Sequence, residues 1–312
     1  MKNNTIGTAT IFALSAAFVS GVSLFVNKFA VTAMKDPTLF TMLKNSLVAV
    51  GLIGVVFLAG RHKEIRGLSR SQWLRLFAIG VIGGALPFAL FFTGLSQTSA
   101  VGGAFIHKTL FLWVALLAIP FLKERMVWQQ WAGVVMVFAG NLFIGGFTGF
   151  KFNMGEVMIL AATILWAIEN IIAKKALADI SSVTVSAARM VIGSLLIISY
   201  VSIFGNFAPV FALTSAQWGW TILTGVFLTG YVIAWYAALA RAPATYVATL
   251  LVPATLVTNV LSAVFITHAL TNRDLVSAFL YAAGAFLLVF FARKTAERIK
   301  PVQDNKIFST NI

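Results

Sequence analysis

Cysteine is absent from this chain of 312 residues, and charged side chains are scarce. Without cysteine the chain forms no disulfide and offers no thiolate for catalysis or metal binding. Charged residues make up 10% of the sequence, whereas a soluble domain has about a quarter. Acidic residues are the rarest of these, since nine Asp and Glu stand against 23 Lys and Arg. The composition therefore excludes an ordinary water-soluble domain.

Recognisable catalytic motifs are also missing. The sequence has no GxSxG, HExxH or Walker motif, no Cys/His metal spacing, and no GxGxxG between a strand and a helix. We therefore predict no enzyme activity, no metal and no cofactor. A lipid-modifying membrane enzyme is kept as an alternative, and His62 with Glu64 is the nearest approach to the polar cluster it needs. A channel is disfavoured because no pore loop repeats.

Apolar residues supply most of what is present. They make up 60% of the chain, and the mean hydropathy is +0.93. They form blocks of roughly 20 residues, the length with which an α-helix crosses ~30 Å of hydrocarbon while satisfying its own backbone. The first block is too long for a signal peptide and is expected to be retained. We predict an all-α integral membrane protein with ten transmembrane helices, at about 6–30, 37–59, 73–95, 98–121, 127–146, 154–177, 182–204, 216–239, 244–268 and 274–292.

The basic residues sort by side of the membrane. If the N-terminus is cytoplasmic, 16 of the 23 Lys and Arg fall on cytoplasmic segments, and only Lys28, Lys35, Lys151 and Arg273 fall on the opposite ones. This asymmetry follows the positive-inside rule. We predict a multi-pass protein of the cytoplasmic membrane with both termini inside, and the net charge of +14 then requires no nucleic-acid partner.

A weak internal repeat recurs at a spacing of roughly 145 residues. Lys44 in the second block matches Arg189 in the seventh, "SRSQW" matches "TSAQW", and "GLSQTSA" matches "ALARAPA". Because five spans is an odd number, the halves 1–148 and 149–293 are expected to be inverted relative to each other, which puts a substrate site near the bilayer midplane. Residues 294–312 are expected to form a mostly disordered cytoplasmic tail.

The two copies of one motif resemble a known family. "GLSQTSAVGGAFIHKTLFLWVALLAIPFLKERMVWQQWAGVVMVFAGNLFI" and the fainter "ALARAPATYVATLLVPATLVTNVLSAVFITHALTNRDLVSAFLYAAGAFLLV" resemble the drug/metabolite transporter superfamily, specifically its EamA-type ten-helix transporters. The resemblance extends to about residue 295. It implies a secondary transporter with inverted five-helix repeats, a cavity lined by helices 1, 3, 4, 6, 8 and 9, and peripheral helices 5 and 10. The second copy has His268 where the family usually has an acid, at the position matching Glu124.

His107 and Lys108 lie side by side near the middle of the fourth span. A lysine at that depth costs ~2.5–3.5 kcal/mol on insertion scales, so both side chains are expected to face the protein interior. Glu169 is the one carboxylate well inside a predicted span, with Trp166 and Asn170 near it. We hypothesise that Glu169 pairs with Lys108 or His107, and that substrate or protons compete for the pair. The alternative is an ion pair that only holds two helices together.

Other site candidates lie on the same spans. Lys44 and Arg189 are seven or eight residues inside their spans, so they either bind substrate or snorkel to the interface. Aromatic rings suit the flat or apolar part of a metabolite. On this ground we add the aromatic residues on the cavity spans: Trp113, Trp166, Trp235, Tyr236 and Tyr246.

Gate and hinge candidates lie near the ends and breaks of the helices. Pro87 and Pro253 are predicted to kink the third and ninth helices. Glu124, at the cytoplasmic end of the fourth, is expected to act as a cap or to pair locally with Lys123 or Arg125, and to form part of an inner gate. The remaining lysines near span ends are expected to be interfacial anchors: Lys28, Lys174 and Lys175.

The predicted function is alternating-access transport of a small amino-acid-like metabolite, zwitterionic or weakly anionic, as an exporter. The mixed charge motivates this substrate, with its carboxylate meeting Lys108 and its amine meeting Glu169. Glu169 and His107 are the candidates for carrying protons, and the oligomeric state stays open. A drug-like or nucleotide-sugar-like substrate in the same fold is the alternative.

Overall fold

The chain folds into ten successive helical segments, α1 to α10. The computed structural model describes residues 4–143, 153–205, 207–268 and 271–307, and these ranges contain no strand. Two short helices, His62–Arg66 and the 3₁₀ turn Ala208–Ala212, lie between segments. The segments are α1 Asn4–Met34, α2 Pro37–Leu58, α3 Arg70–Ser96, α4 Ala100–Lys108 with Leu110–Leu122, α5 Trp128–Leu142, α6 Met154–Ala176, α7 Ser182–Phe204, α8 Ser215–Arg241, α9 Ala244–Thr249 with Ala254–Ser262 and Ala263–Thr267, and α10 Asn272–Ile307.

The predicted membrane class is confirmed. Within the described ranges nine of the ten segments are long and apolar enough to cross a bilayer; α5, with 15 described residues, is not among them. The predicted end of the fifth block and the boundary at 148 lie outside the described residues. The end of the chain differs from expectation, because α10 continues through residues 294–307. A helix already nucleated by a span extends at lower cost than a new helix forms.

The repeated "SQW" and "AQW" motifs build matching helix starts. Ser69 and Gln72 form a capping box at α3, and Thr214 and Gln217 form one at α8. Each glutamine side chain also donates a hydrogen bond to a residue in the other half of the sequence. Gln72 Nε2 donates to Asp179 Oδ2 at 3.1 Å, and Gln217 Nε2 donates to the Ala33 carbonyl at 3.1 Å. The sequence match therefore marks two corresponding links between the halves.

Helix pairing follows the order of the repeat. α1 packs on α8, and its counterpart α6 packs on α3. α2 packs on α7, α4 contacts α9, and α5 packs on α10. Each pair takes one helix from each half. This intertwining brings side chains of both halves together at the centre of the bundle.

Three of the inner helices are interrupted. α3 contains a π-helical segment, Gly80–Ala85, which ends two residues before Pro87, and α9 breaks around Pro253. The irregularities predicted at both prolines are confirmed. α4 also breaks, at Thr109 beside Lys108, which the sequence analysis did not predict. Interrupted helices leave backbone groups free within the membrane, and in transporters such groups surround the substrate site.

α3 and α7 cross with their backbones in contact. A Cβ added at Gly84 would stand 2.1 Å from the carbonyl oxygen of Arg189, and one at Gly193 would stand 2.4 Å from the Gly84 carbonyl. Neither position has room for a side chain. The neighbouring Gly83 is as restricted, because its added Cβ would lie 2.4 Å from Glu169 Cγ. This crossing brings the centre of α3 against α6 and α7.

One end of the bundle, here called the basic end, carries the basic segments that contain Arg61, Arg75 and Lys175. Glu64 accepts hydrogen bonds from the Ser181 N–H at 2.8 Å and from the Thr184 hydroxyl at 2.6 Å, while Arg75 Nη2 pairs with Asp179 at 2.7 Å. Burial alone would raise the pKa of Glu64, but hydrogen bonds from Ser181 and Thr184 outweigh it and lower that pKa. The loops that charge assigns to one side of the membrane do meet at one end.

We expect Gly84→Val to lower the free energy of unfolding by about 1–3 kcal/mol, because a side chain there overlaps the α7 backbone. The measurement is the thermal unfolding midpoint in detergent. Gly54→Ala is the control, since an added Cβ at Gly54 meets nothing within 4 Å. Equal midpoints for the two variants would contradict the described crossing.

Candidate substrate site

A polar cavity lies between the two halves at the centre of the bundle. Its volume is about 70 Å³, and α1, α2, α3, α4, α6, α7 and α8 each contribute to its wall. Seven of the predicted site residues line it: Lys44, His107, Trp166, Glu169, Asn170, Arg189 and Trp235. The wall differs from the family expectation, because α2 and α7 supply lining residues and the described part of α9 supplies none.

The cavity is small for a ligand site. Small-molecule sites usually enclose about 300–1,000 Å³, whereas a buried water needs at least about 10–15 Å³. The 70 Å³ found here holds roughly five water-sized positions. A bulky ligand therefore requires the walls to move apart, whereas a ligand of a few heavy atoms fits with little movement.

Lys44 reaches this cavity from α2. Its side chain is 1% exposed, so it does not snorkel to the interface. Nζ lies 3.4 Å from the ring centroid of Phe92 and 3.3 Å from Asn27 Oδ1. The ring faces stabilise the ammonium through cation–π attraction. Across the described residues no carboxylate stands at ion-pairing distance from it. The cation is therefore solvated by neutral groups only.

Arg189, the repeat-related counterpart of Lys44, enters the cavity from α7. Its Nη2 donates to the Gly83 carbonyl at 3.1 Å, and its Nε is buried without a hydrogen-bond partner. Phe88 lies between the two cations, 5.7 Å from Lys44 Nζ and 5.5 Å from Arg189 Cζ, measured to the ring centroid. Two cations, one from each half, thus meet at one aromatic ring on α3.

Glu169 brings one negative charge to the site. Its Oε1 accepts a hydrogen bond from the Tyr236 hydroxyl, and its Oε2 is buried without a hydrogen-bond partner. The Gly83 position lies next to both its carboxyl carbon and Arg189 Nε, so the two charges are neighbours. A free carboxylate oxygen beside a cavity can accept a hydrogen bond from a ligand amine.

The predicted pairing of Glu169 with Lys108 or His107 is wrong. Lys108 is 1% exposed but does not line the cavity, and its Nζ donates to Ser20 Oγ at 2.8 Å. Among the described residues, only Arg75 and Asp179 stand at ion-pairing distance. Lys108 and His107 lie side by side on the helical piece Ala100–Lys108, where successive side chains point about 100° apart. His107 alone faces the cavity.

Aromatic rings make up much of the cavity wall. The ring of His107 packs edge-on against Trp166 at 5.0 Å and against Phe91 at 5.2 Å. Trp166 Nε1 donates to the Gly83 carbonyl at 3.0 Å, and Trp235 Nε1 donates to Asn170 Oδ1 at 2.9 Å. Each indole is therefore fixed by a hydrogen bond and presents a rigid apolar face.

Three predicted aromatic residues do not line the cavity. Tyr236 lies behind Glu169 and orients it. Tyr246 shares a hydrogen bond with Thr10 at 2.7 Å, which joins α9 to α1, and Trp113 Nε1 donates to Thr109 Oγ1 at 3.2 Å across the α4 break. Lining residues that the sequence analysis missed include Asn27, Ser20, Ser23 and Tyr231. The first three are polar residues within the apolar span α1, and that position could have predicted their place in the cavity wall.

Glu124 serves as a helix cap, one of its two predicted roles, and stands at ion-pairing distance from neither Lys123 nor Arg125. Its carboxylate accepts from the Ala244 N–H at 2.7 Å, the Thr245 N–H at 3.0 Å and the Thr245 hydroxyl at 2.7 Å. It therefore caps the N-terminus of α9, where backbone N–H groups and the helix dipole favour an anion. The cap joins α4 to α9 at the basic end.

Lys28 and Lys174 are not free interfacial anchors. Each ammonium binds two backbone carbonyls at the C-terminal end of a helix, and the two arrangements correspond. Lys28 Nζ donates to the carbonyls of Leu95 and Thr98 at 2.9 and 2.6 Å. Lys174 Nζ donates to those of Leu239 and Ala242 at 2.6 and 2.8 Å. The first closes the C-terminal end of α3 and the second that of α8. Within the described ranges, no group of three His, Asp or Glu side chains could hold a metal.

A polar cavity between the intertwined halves of a multi-span α-helical protein is typical of a solute transporter. The model of the EamA-like transporter family matches residues 7–146 and 153–290. The chain belongs to this family. The predicted family resemblance is confirmed.

Similar proteins include two named as uncharacterized transporters. One from Archaeoglobus fulgidus is 29% identical over 59% of this chain and 65% of its own, and YyaM of Bacillus subtilis is 31% identical over 50% of this chain and 52% of its own. The match thus covers less than two thirds of either relative. A protein of known crystal structure has the same fold, with a TM-score of 0.74 at 17% identity over 92% of this chain and 97% of its own.

We expect Glu124→Gln to lower the free energy of unfolding by about 0.5–2 kcal/mol, the usual value of a helix cap. The thermal unfolding midpoint in detergent is the measurement. Arg125→Gln is the matched control, because a local ion pair would make the two variants equally unstable. If Arg125→Gln lowers the midpoint as much as Glu124→Gln does, the capping role is wrong.

Proposed function

We propose that this transporter moves a small amino-acid-like metabolite across the cytoplasmic membrane by alternating access, in the outward direction. The observation that carries the proposal is the Lys44 ammonium, which is buried at the cavity without a described carboxylate partner. A desolvated charge is costly unless it is paired, so a substrate carboxylate is its natural complement.

The second part of the substrate is an amine. Glu169 lines the same small cavity, and its Oε2 has no hydrogen-bond partner. A ligand with a carboxylate on Lys44 and an ammonium on Glu169 satisfies both groups at once. The carboxylate contact is thus assigned to Lys44 and not to Lys108, for which the sequence predicted it. Glu169, beside Arg189, stays the candidate for proton coupling.

Size favours a small substrate over a drug-like or nucleotide-sugar-like one. The cavity volume of about 70 Å³ accommodates a few heavy atoms between rigid aromatic faces. A nucleotide sugar would also bring two phosphates, and only Lys44 and Arg189 are present in the wall to meet them.

The proposal is tested by counterflow in proteoliposomes, with the standard amino acids and small organic acids as the panel. We expect an amino acid to exchange, and Lys44→Met to raise its half-saturation concentration about 10- to 100-fold, the value of a lost charge-assisted hydrogen bond. Lys35→Met removes an exposed lysine and is the control. Efflux from preloaded cells tests the outward direction.

Glu169→Gln is expected to weaken exchange of the amino acid by a similar factor while leaving a simple carboxylic acid unaffected. If neither Lys44→Met nor Glu169→Gln changes exchange, the substrate site lies elsewhere. Conversion of a supplied lipid without exchange of any solute would support the membrane-enzyme alternative instead.

A further inference from the structure

A second, larger cavity opens on the lipid-facing side at the basic end. Its volume is about 340 Å³, within the range of ligand sites and well above the central cavity. α2 and α3 form two walls, α7 forms the third, and the short helix His62–Arg66 lies across one end. The cavity therefore lies between the two halves of the protein.

The walls of this cavity are almost wholly apolar, but its end is basic. Ile53, Val56, Leu76 and Val191 are among the apolar lining residues, and Phe57 beside them is 64% exposed toward the bilayer. The basic component comes from the short helix. Arg66 lines the cavity, and two further basic residues precede it there: Arg61 and Lys63.

His62 adds a polar group at the boundary between the two parts. It lines the cavity, its ring stacks on that of Phe57 at 5.7 Å, and its Nδ1 is buried without a hydrogen-bond partner. Trp73 lines the same cavity and is 44% exposed, as suits a tryptophan at the membrane interface. Trp73 thus places His62 at the depth of the lipid headgroups.

The repeat provides an internal comparison. Ala187 and Ala188 on α7 form part of the wall, and their short side chains leave the space open. At the repeat spacing that relates Lys44 to Arg189, the corresponding residues of α2 are Met42 and Leu43, and both pack into the hydrophobic core. The space beside Ala187 and Ala188 is empty, whereas the larger side chains of Met42 and Leu43 fill the corresponding space in the other half.

We propose that this cavity binds one anionic phospholipid, with an acyl chain between α2 and α7 and the phosphate near Arg66 and His62. Charge selects the lipid class, because each basic residue at the surface contributes attraction to anionic lipid. Apolar volume open to the bilayer selects a lipid rather than free phosphate. The bound lipid contacts both halves beside the Glu64 link to Ser181 and Thr184, so it stabilises their contact at the basic end.

The test uses the full-length protein in detergent, with phosphatidylglycerol or phosphatidylcholine added as mixed micelles. Native mass spectrometry counts retained lipid, and the thermal unfolding midpoint reports stabilisation. We expect phosphatidylglycerol to be retained and to raise the midpoint more than phosphatidylcholine does. Arg66→Gln should weaken phosphatidylglycerol binding about fivefold, whereas Arg70→Gln, on a basic residue that does not line the cavity, should change it little.

A filling variant tests the apolar part separately. Ala187→Met with Ala188→Leu copies the residues of the other half and should abolish retention of phosphatidylglycerol while the lipid-free midpoint stays the same or rises. Retention equal to wild type in this folded variant, or equal retention of both lipids, would overturn the proposal. If the filling variant fails to fold, an unchanged affinity in Arg66→Gln overturns it alone.

Discussion

Hydrocarbon offers no hydrogen-bond partner, so polar groups inside a membrane protein must find their partners within the bundle. In this protein several of the partners are backbone carbonyls that interrupted or ending helices leave free. The carbonyl of Gly83, inside the π-helical segment of α3, accepts from both Trp166 and Arg189. Carbonyls at the end of α3 accept from Lys28, and those at the end of α8 accept from Lys174. Arg189 is thus satisfied across the interface between the halves, whereas Lys28 and Lys174 each bind carbonyls of their own half.

This constraint explains why Lys44 is distinctive. Arg189, its counterpart, donates a hydrogen bond to the Gly83 carbonyl and lies beside Glu169. Lys108 donates a hydrogen bond to the Ser20 hydroxyl. Lys44 has one long hydrogen bond to Asn27 and the faces of aromatic rings. The two halves thus place a cation at corresponding positions, but the groups that contact the two cations differ. An inverted pair of similar halves encloses an asymmetric cavity, which can orient a zwitterion.

Much of this architecture could be predicted from the sequence. Hydropathy and length gave the helices, and the "SQW" and "AQW" motifs marked helix starts that the structure bears out as capping boxes. Seven of the eleven substrate or coupling candidates line the cavity. A polar side chain in the middle of a span is costly against lipid, so it faces the interior of the bundle. The exact partners were not predictable. The break in α4 at Thr109, just after Lys108, has no proline or glycine beside it that would predict it. The partners of Glu124 were not predicted, because Ala244 and Thr245 are distant from it in sequence.

The central claim, that Lys44 receives the carboxylate of the substrate, is tested most directly by changing the ligand and the protein together. Binding of the exchanged amino acid, its decarboxylated amine and its deaminated acid can be measured by calorimetry on wild type and Lys44→Met. We predict that the substitution weakens binding of the amino acid and the acid and leaves binding of the amine unchanged. An equal loss for all three ligands, or no loss for any, would contradict the account.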